Sequence, residues 1–275
     1  MSIVALSEGV GSLGDEIGRA VSRALGYEFA DREIIAKAAE EFGESMTELF
    51  HVTEERPTWW ERLADSKPRY LALVEVVLFE FAARDNVVLS GRGGTILLAQ
   101  VPHVLRVRVT APNRVRARRV EHTQGLTNEA AQDLVADSDS ERAARIRFLY
   151  HVDWADPLLY DLVLNTERIS VERGVALICE TLGEPRFAPT PDSRRAVLDR
   201  ALAARARAAL LSNPFTRRLR LEAVCHEGVL TVSGTAEDER QRQAVEEILA
   251  RIPGATRREN EVSVARPPRI PAMRV

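Results

Sequence analysis

Lysine and cysteine are scarce in this chain of 275 residues. Lys37 and Lys67 are its only lysines, whereas arginine is abundant, so clustered arginines reflect composition as well as binding. The two cysteines, Cys179 and Cys225, are far apart and match no metal-ligand spacing. We therefore expect no structural disulfide, and this cysteine usage is typical of a reducing compartment.

Long hydrophobic runs are also missing from the sequence. No apolar stretch approaches the roughly 18 residues that a membrane-spanning helix needs, and no basic segment precedes an apolar stretch at the N-terminus. We therefore expect a cytoplasmic protein. The histidines are scattered, no cluster of cysteine, histidine and acidic residues indicates a metal site, and no serine nucleophile motif occurs.

Charge is distributed unevenly along the chain. Residues 1–192 carry 22 basic and 31 acidic side chains, and residues 193–275 carry 16 and 10. A basic C-terminal part could attract an anionic membrane surface or an acidic protein partner, although solvated arginines are the simpler explanation and nucleic acid is not the expected partner. The basic residues of its first predicted helix are Arg194, Arg195, Arg200, Arg205 and Arg207.

The most informative segment is a glycine-rich turn between an apolar strand and a helix. Residues 3–8 form the predicted strand, and residues 15–25 place apolar side chains at helical spacing. Such a turn can cradle phosphate oxygens with backbone N–H groups at a helix N-terminus. The candidate phosphate-binding residues are Gly9, Gly11, Ser12, Gly14, Asp15 and Glu16.

The end of this turn departs from the usual phosphate-binding pattern. Glycine, lysine and a hydroxyl residue are the usual ending, but this chain has Gly14, Asp15 and Glu16. Phosphate binding would then need arginines from outside the loop, or a divalent cation between Asp15 or Glu16 and the phosphates. The alternative is a strand-to-helix connection whose acidic residues suit the positive end of the helix.

Three further groups of residues could contact a phosphate or a ribose. Asp31 and Arg32 follow a short apolar turn, where an N-capping aspartate is the alternative. Gly91 and Arg92 end the predicted strand at residues 87–90, and ligands bind beyond the carboxyl ends of strands in open α/β sheets. Arginines on two helices joined by a short turn could form a mobile cover over a transferring phosphoryl group, or could be salt-bridged surface residues. These arginines are Arg114, Arg116, Arg118, Arg119, Arg142, Arg145 and Arg147.

The alternation of short β-branched runs with helical stretches predicts an α/β fold with a parallel sheet covered by helices. Residues 31–81 are interpreted as a helical insertion. Three prolines predict a semi-rigid linker over residues 183–192. Beyond it, helices and short strands predict a small α+β domain over residues 193–265, followed by an extended tail at 266–275.

Five ordered segments together resemble the cytidylate kinase-like family of P-loop proteins, over a domain of about residues 1–182. The segments are 11–14 (GSLG), 31–35 (DREII), 91–94 (GRGG), 138–142 (SDSER) and 153–161 (DWADPLLYD). The resemblance implies a nucleoside monophosphate kinase fold, with ATP and Mg²⁺ at the glycine loop. A pyrimidine nucleoside monophosphate such as CMP or dCMP would lie beneath the helical insertion.

The family pattern also implies roles for individual residues. Arg32 and Arg92 would hold the monophosphate, and Arg116 and Arg119 would lead into the lid. The implied catalytic residues are Arg116, Arg119, Arg142 and Arg145, and the implied substrate-binding residues are Asp31, Arg32, Gly91, Arg92 and Asp139.

Residues 193–265 resemble a BON domain, in the segments 228–236 and 252–255. Such domains are small α+β modules associated with membrane surfaces or protein partners. The alternative function for the chain is therefore a catalytically inactive nucleotide-binding regulator that acts through its BON module.

Overall fold

The computed structural model describes residues 2–31, 34, 36 and 67–265. The chain divides after Val197 into two compact units. Most of the predicted helical insertion and the whole predicted tail lie outside the described residues, as does Arg32.

The first unit is built on a parallel sheet with the strand order β2-β3-β1-β4-β5. Its strands are β1 (Ile3–Glu8), β2 (Glu28–Ala30), β3 (Val87–Ser90), β4 (Val104–Thr110) and β5 (Leu162–Asn165). The central strand β1 is buried over its apolar residues, as expected for a parallel strand with both faces covered. The predicted α/β fold with a parallel sheet is confirmed.

Helices pack against the apolar faces of this sheet. Val4 and Leu6 of β1 share a core with Ile17 and Val21 of the first helix, because apolar residues recur there at helical spacing. The helices of the unit are α1 (Gly14–Leu25), α2 (Lys67–Ala83), α3 (Gly94–Leu97), α4 (Asn113–Gln124), α5 (Asn128–Tyr150) and α6 (Val171–Leu182).

The sheet topology brings the carboxyl ends of three strands together. Leu6 of β1 is in register with Ser90 of β3, and Glu8 is in register with Val109 of β4. The strands after β1 are added on opposite sides of it, so its carboxyl end is a switch point, where open α/β sheets bind ligands. The glycine-rich turn after Glu8 lies at this edge.

The segment 183–192, predicted as a semi-rigid linker, contains local helical structure. Residues Pro185–Phe187 form a 3-10 helix, and Phe187 is buried in the core of the first unit. Helix α7 (Pro191–Ser212) begins before the predicted linker ends. Burial of an aromatic side chain stabilises a fold by roughly 1.5–3 kcal/mol, which explains why this proline-rich segment packs against the first unit.

The second unit is a small α+β fold, as predicted. Strands β6 (Leu221–His226) and β7 (Val229–Ala236) form an antiparallel hairpin, and β8 (Arg257–Val264) pairs parallel to β7 after helix α8 (Glu239–Arg251). Leu230 and Val232 of β7 pack with Val245 and Leu249 of α8. In the part of the chain that the structure describes, no helix combines the length and apolar character needed to cross a bilayer.

Asp199 of α7 holds the turn of this hairpin. Its carboxylate accepts hydrogen bonds from the N–H groups of Glu227 and Gly228, each at 2.9 Å. The Sγ atom of Cys225 also donates to it, at 3.3 Å. Burial and then this carboxylate raise the pKa of the Cys225 thiol to about 12.

We expect Asp199→Ala to destabilise the second unit by roughly 1–3 kcal/mol, because two backbone donors lose their acceptor. The pKa of Cys225 should fall, so thiol labelling at pH 8 should become faster. Thermal unfolding and labelling kinetics measure the two effects. Glu247→Ala on the exposed side of α8 is the control, and equal labelling rates for Asp199→Ala and the wild type would contradict this role.

Candidate functional site

The glycine-rich turn leaves the first N–H groups of α1 without partners among the described residues. Gly11 and Leu13 have left-handed backbone conformations, with φ of 72° and 65°. Leu13 is the N-cap and offers no side-chain acceptor, and the N–H groups of Gly14, Asp15 and Glu16 donate to no described residue. Uncapped N–H groups at the positive end of a helix favour an anion. The turn can therefore receive one.

Arg116 of α4 binds this turn from behind. Its Nε donates to the carbonyl oxygen of Ala111 at 2.9 Å, and its Nη1 to that of Val10 at 3.3 Å. The same guanidinium forms a bidentate ion pair with Asp139 of α5 and donates to Asn113 Oδ1 at 2.7 Å. Arg116 is almost completely buried, and these bonds occupy all of its N–H groups.

Arg119 makes a second attachment to the turn. Its Nη1 donates to the carbonyl oxygen of Gly11 at 3.0 Å and to Thr166 Oγ1 at 2.9 Å, and its Nη2 donates to Thr166 O at 2.7 Å. Thr166 Oγ1 in turn donates to the carbonyl oxygen of Ser12 at 2.8 Å. Arg116 and Arg119 therefore both hold carbonyl oxygens of the turn.

A cavity of about 360 Å³ lies beside the turn. Five of the predicted residues line it: Asp31, Gly91, Arg92, Arg142 and Arg145. Arg142 is partly buried, and burial lowers its pKa while the nearby Glu8 raises it. A guanidinium remains charged after such a shift. Positive charge from α5 thus enters the same cavity as the turn after β3.

The turn after β3 positions Arg92 by its contact with Tyr150. Gly91, Arg92 and Gly93 all have left-handed conformations, with φ of 73°, 55° and 76°. Tyr150 Oη donates to the carbonyl oxygen of Arg92 at 3.2 Å. A Cβ on Gly93 would lie 2.5 Å from Cζ of Tyr150, so only glycine fits there.

Trp154, for which the sequence predicts no role, forms an aromatic wall of the cavity. Its Nε1 donates to Ser7 Oγ at 2.9 Å, and Tyr160 Oη donates to its carbonyl oxygen at 2.9 Å. The guanidinium carbon of Arg108 lies 3.8 Å from the ring centroid, and that of Arg142 lies 5.5 Å away. These cation–π contacts hold two positive charges at the wall.

Glu8 is a second cavity-lining residue that is not among the residues predicted for the site. Its Oε1 accepts a hydrogen bond from Ser90 at 3.3 Å, and its buried Oε2 has no partner among the described residues. A Cβ on Gly14 would overlap Oε2 and lie 2.5 Å from Cβ of Glu8. The carboxylate is therefore packed against the first helical residue of the turn. A charged residue at the end of a buried strand is the only sequence signal for it.

Burial raises the pKa of Glu8 to about 7. This value already includes the opposing effects of Arg142 and the Ser90 hydrogen bond, which lower the pKa, and of the carboxylates of Asp15 and Asp31, which raise it. Asp15 itself is paired with Arg19 at 2.9 Å.

The contact between Glu8 and Gly14 can be tested by a double-mutant cycle. We expect Gly14→Ala to destabilise the protein by about 1–3 kcal/mol, because the new methyl group overlaps the carboxylate. Gly94→Ala, at the start of α3, is the control, since its Cβ would meet neighbours at 3.8 Å or more. Chemical denaturation measures all variants. Glu8→Gly removes both the carboxylate and the Cβ that lies 2.5 Å away, so it should remove most of the penalty of Gly14→Ala, and strict additivity would contradict the contact.

Comparison with known proteins gives an independent view of this arrangement. The model of the cytidylate kinase-like family matches residues 3–168, and the model of the BON domain matches residues 198–266. A cytidylate kinase of Ignicoccus hospitalis is 28% identical over 179 residues, which are 65% of this chain and 97% of that protein. A cytidylate kinase of Natronomonas pharaonis is 28% identical over 191 residues, which are 69% and 93%.

Among solved structures, an uncharacterized protein of Eubacterium ventriosum is similar with a TM-score of 0.53 at 14% identity, covering 66% of this chain and 98% of that one. This likeness concerns the fold alone. The family model covers more than half of the chain. The chain therefore belongs to the cytidylate kinase-like family and carries a C-terminal BON domain.

Proposed function

We propose that this protein binds ATP at the turn between β1 and α1 and transfers a phosphoryl group to a pyrimidine nucleoside monophosphate, such as CMP or dCMP. One observation supports the proposal: a turn whose first helical N–H groups donate to no described residue lies beside a cavity that Arg92, Arg142 and Arg145 line. Phosphoryl transfer depends mainly on positioning and on positive charge around the phosphates. In this protein the backbone of the turn would position the phosphates, and the arginines of the cavity would supply the positive charge.

In this proposal the monophosphate binds among the arginines of the cavity. Arg92, Arg142 and Arg145 line it, and a guanidinium can bind two phosphate oxygens at once. The resemblance adds Arg32, which lies outside the described residues. Asp31 would contact the same nucleotide. Trp154 offers its ring as a wall for the base.

Arg116, Arg119 and Asp139 act on the turn in this proposal rather than on the phosphoryl group. Their side chains are engaged with the backbone of the turn or with one another. They are therefore positioning residues: they hold the carbonyl oxygens of the turn and leave its N–H groups available to bind phosphate.

The residues of the turn are compatible with a magnesium-bound triphosphate. No group of three or more histidine, cysteine or acidic side chains in the described residues could hold a metal ion. Magnesium in such sites needs only one or two carboxylates, because phosphates and waters complete its shell. The exposed Glu16 could supply one, since Asp15 is paired with Arg19. Bound magnesium would neutralise charge on the phosphates.

A second candidate function is a catalytically inactive nucleotide-binding regulator that acts through the BON domain on a membrane surface or a protein partner. The acidic residues Asp15 and Glu16, in place of a cation and a hydroxyl, favour it.

Two arginines of the predicted basic face, by contrast, already have partners within their own units. Arg194 pairs with Asp85 at 2.9 Å, and Arg207 donates to the carbonyl oxygen of Ala223 at 3.1 Å.

An acceptor screen tests the proposed activity. The screen uses ATP and Mg²⁺ with CMP, dCMP, UMP or AMP as the acceptor, and anion-exchange chromatography measures the nucleoside diphosphate formed. We expect CMP or dCMP to give the corresponding diphosphate. Arg142→Gln should lower kcat/KM by about 100-fold or more, because a charge that faces the phosphates is lost. Arg147→Gln, on an exposed position of the same helix, is the control. If no acceptor reacts while ATP still raises the Tm, the regulator is the correct function.

The unusual end of the turn gives a further prediction. Asp15→Lys should tighten ATP binding at least tenfold, because a negative charge near the phosphates is replaced by a positive one. Isothermal titration calorimetry measures the Kd. Asp133→Lys makes the same charge change on an exposed position of α5 and should have little effect. Weaker binding by Asp15→Lys would indicate that the carboxylate holds the metal ion.

A further inference from the structure

We propose that Glu8, in its protonated form, is a phosphate-binding residue of the turn. Its carboxyl group, which lines the cavity, carries the proton and donates a hydrogen bond to a phosphate oxygen, in place of the cationic side chain that the turn lacks at Asp15. Anion binding at the turn is then coupled to the uptake of one proton from solvent. This inference rests on the proposed binding of ATP at the turn.

Glu8 lies where its carboxylate would repel a phosphate bound at the turn, so phosphate binding requires that Glu8 be protonated. Its carboxylate packs against Gly14, whose N–H is one of the donors of the turn that have no partner in the described part of the chain. Glu8 also lines the cavity beside the turn, so a phosphate that binds those donors and extends into the cavity would come close to the Glu8 carboxyl group. Two anions at that separation repel each other, and no described residue donates to Oε2. A carboxylic acid removes the repulsion, because its O–H is a donor to phosphate.

The groups around Glu8 allow this protonation near neutral pH. Burial is the largest cause of its raised pKa, which is about 7. Asp15 on α1 and Asp31 after β2 favour the protonated form, whereas Arg142 on α5 and the hydrogen bond from Ser90 on β3 favour the carboxylate. The side chain is therefore divided between the two forms at neutral pH, and a bound phosphate would shift it toward the acid.

The sign of the pH dependence follows from this coupling. Only the protonated form of Glu8 binds the phosphate. The apparent Kd for MgATP therefore rises as the pH increases through about 7, and above pH 7 it increases about tenfold for each pH unit. A glutamine at position 8 is a neutral donor at every pH. It should bind the phosphate without any proton uptake.

The test is the binding of MgATP to the full-length protein by calorimetry between pH 6 and pH 9. Comparison with Glu8→Gln cancels the titration of the ligand itself. We expect the wild-type Kd to rise by about 50-fold to 100-fold between pH 7 and pH 9, while the Glu8→Gln value changes little. Glu141→Gln, another glutamate that lines the cavity, should keep the wild-type pH dependence.

Proton uptake can be measured on the wild type alone, in two buffers of different ionisation enthalpy at pH 8. We expect close to one proton per MgATP bound in the wild type and none in Glu8→Gln. Equal pH dependence in the two proteins, or loss of binding by Glu8→Gln at pH 6, would overturn the role of Glu8 and leave ATP binding intact. Absence of MgATP binding by all variants at every pH would overturn the proposed function as well.

Discussion

The attachment of α4 to the turn between β1 and α1 is the interaction on which the site depends. Arg116 and Arg119 bind the carbonyl oxygens of Val10 and Gly11, so one side of the turn is fixed to the protein. The first N–H groups of α1 remain without partners on the described chain. The bidentate pair of Arg116 with Asp139 extends this attachment to α5, the helix that brings Arg142 to the cavity.

The candidate site has an unusual distribution of charge for a turn that is proposed to bind phosphate. Its own residues are acidic, and the positive charge comes from arginines on the turn after β3 and on α5. Asp15 is partly offset by its pair with Arg19. Burial of Glu8 favours its uncharged form. Positive charge from outside the turn and a protonatable acid beside it together make anion binding compatible with this sequence.

The fold and the location of the site could be predicted because their signals are local. Apolar runs predict buried parallel strands, and the glycines at positions 9–14 and 91–94 mark turns that the same sheet edge brings together. The partners of charged side chains could not be predicted. Arg116 and Asp139 are 23 residues apart, and a sequence shows their charges without their contact. The role of Glu8 depends on its contact with Gly14, which the sequence does not show. The burial of Phe187, which anchors the proline-rich segment to the first unit, is likewise visible only in the structure.

The most direct test of the account is an NMR titration of the isotope-labelled full-length protein with MgATP. The central claim is that backbone N–H groups of the turn bind a phosphate anion. The amide signals of Gly11, Gly14, Asp15 and Glu16 should therefore shift with a single Kd, while that of Gly254 in the second unit should not. Unchanged signals at residues 9–16, with shifts elsewhere in the chain, would contradict the account.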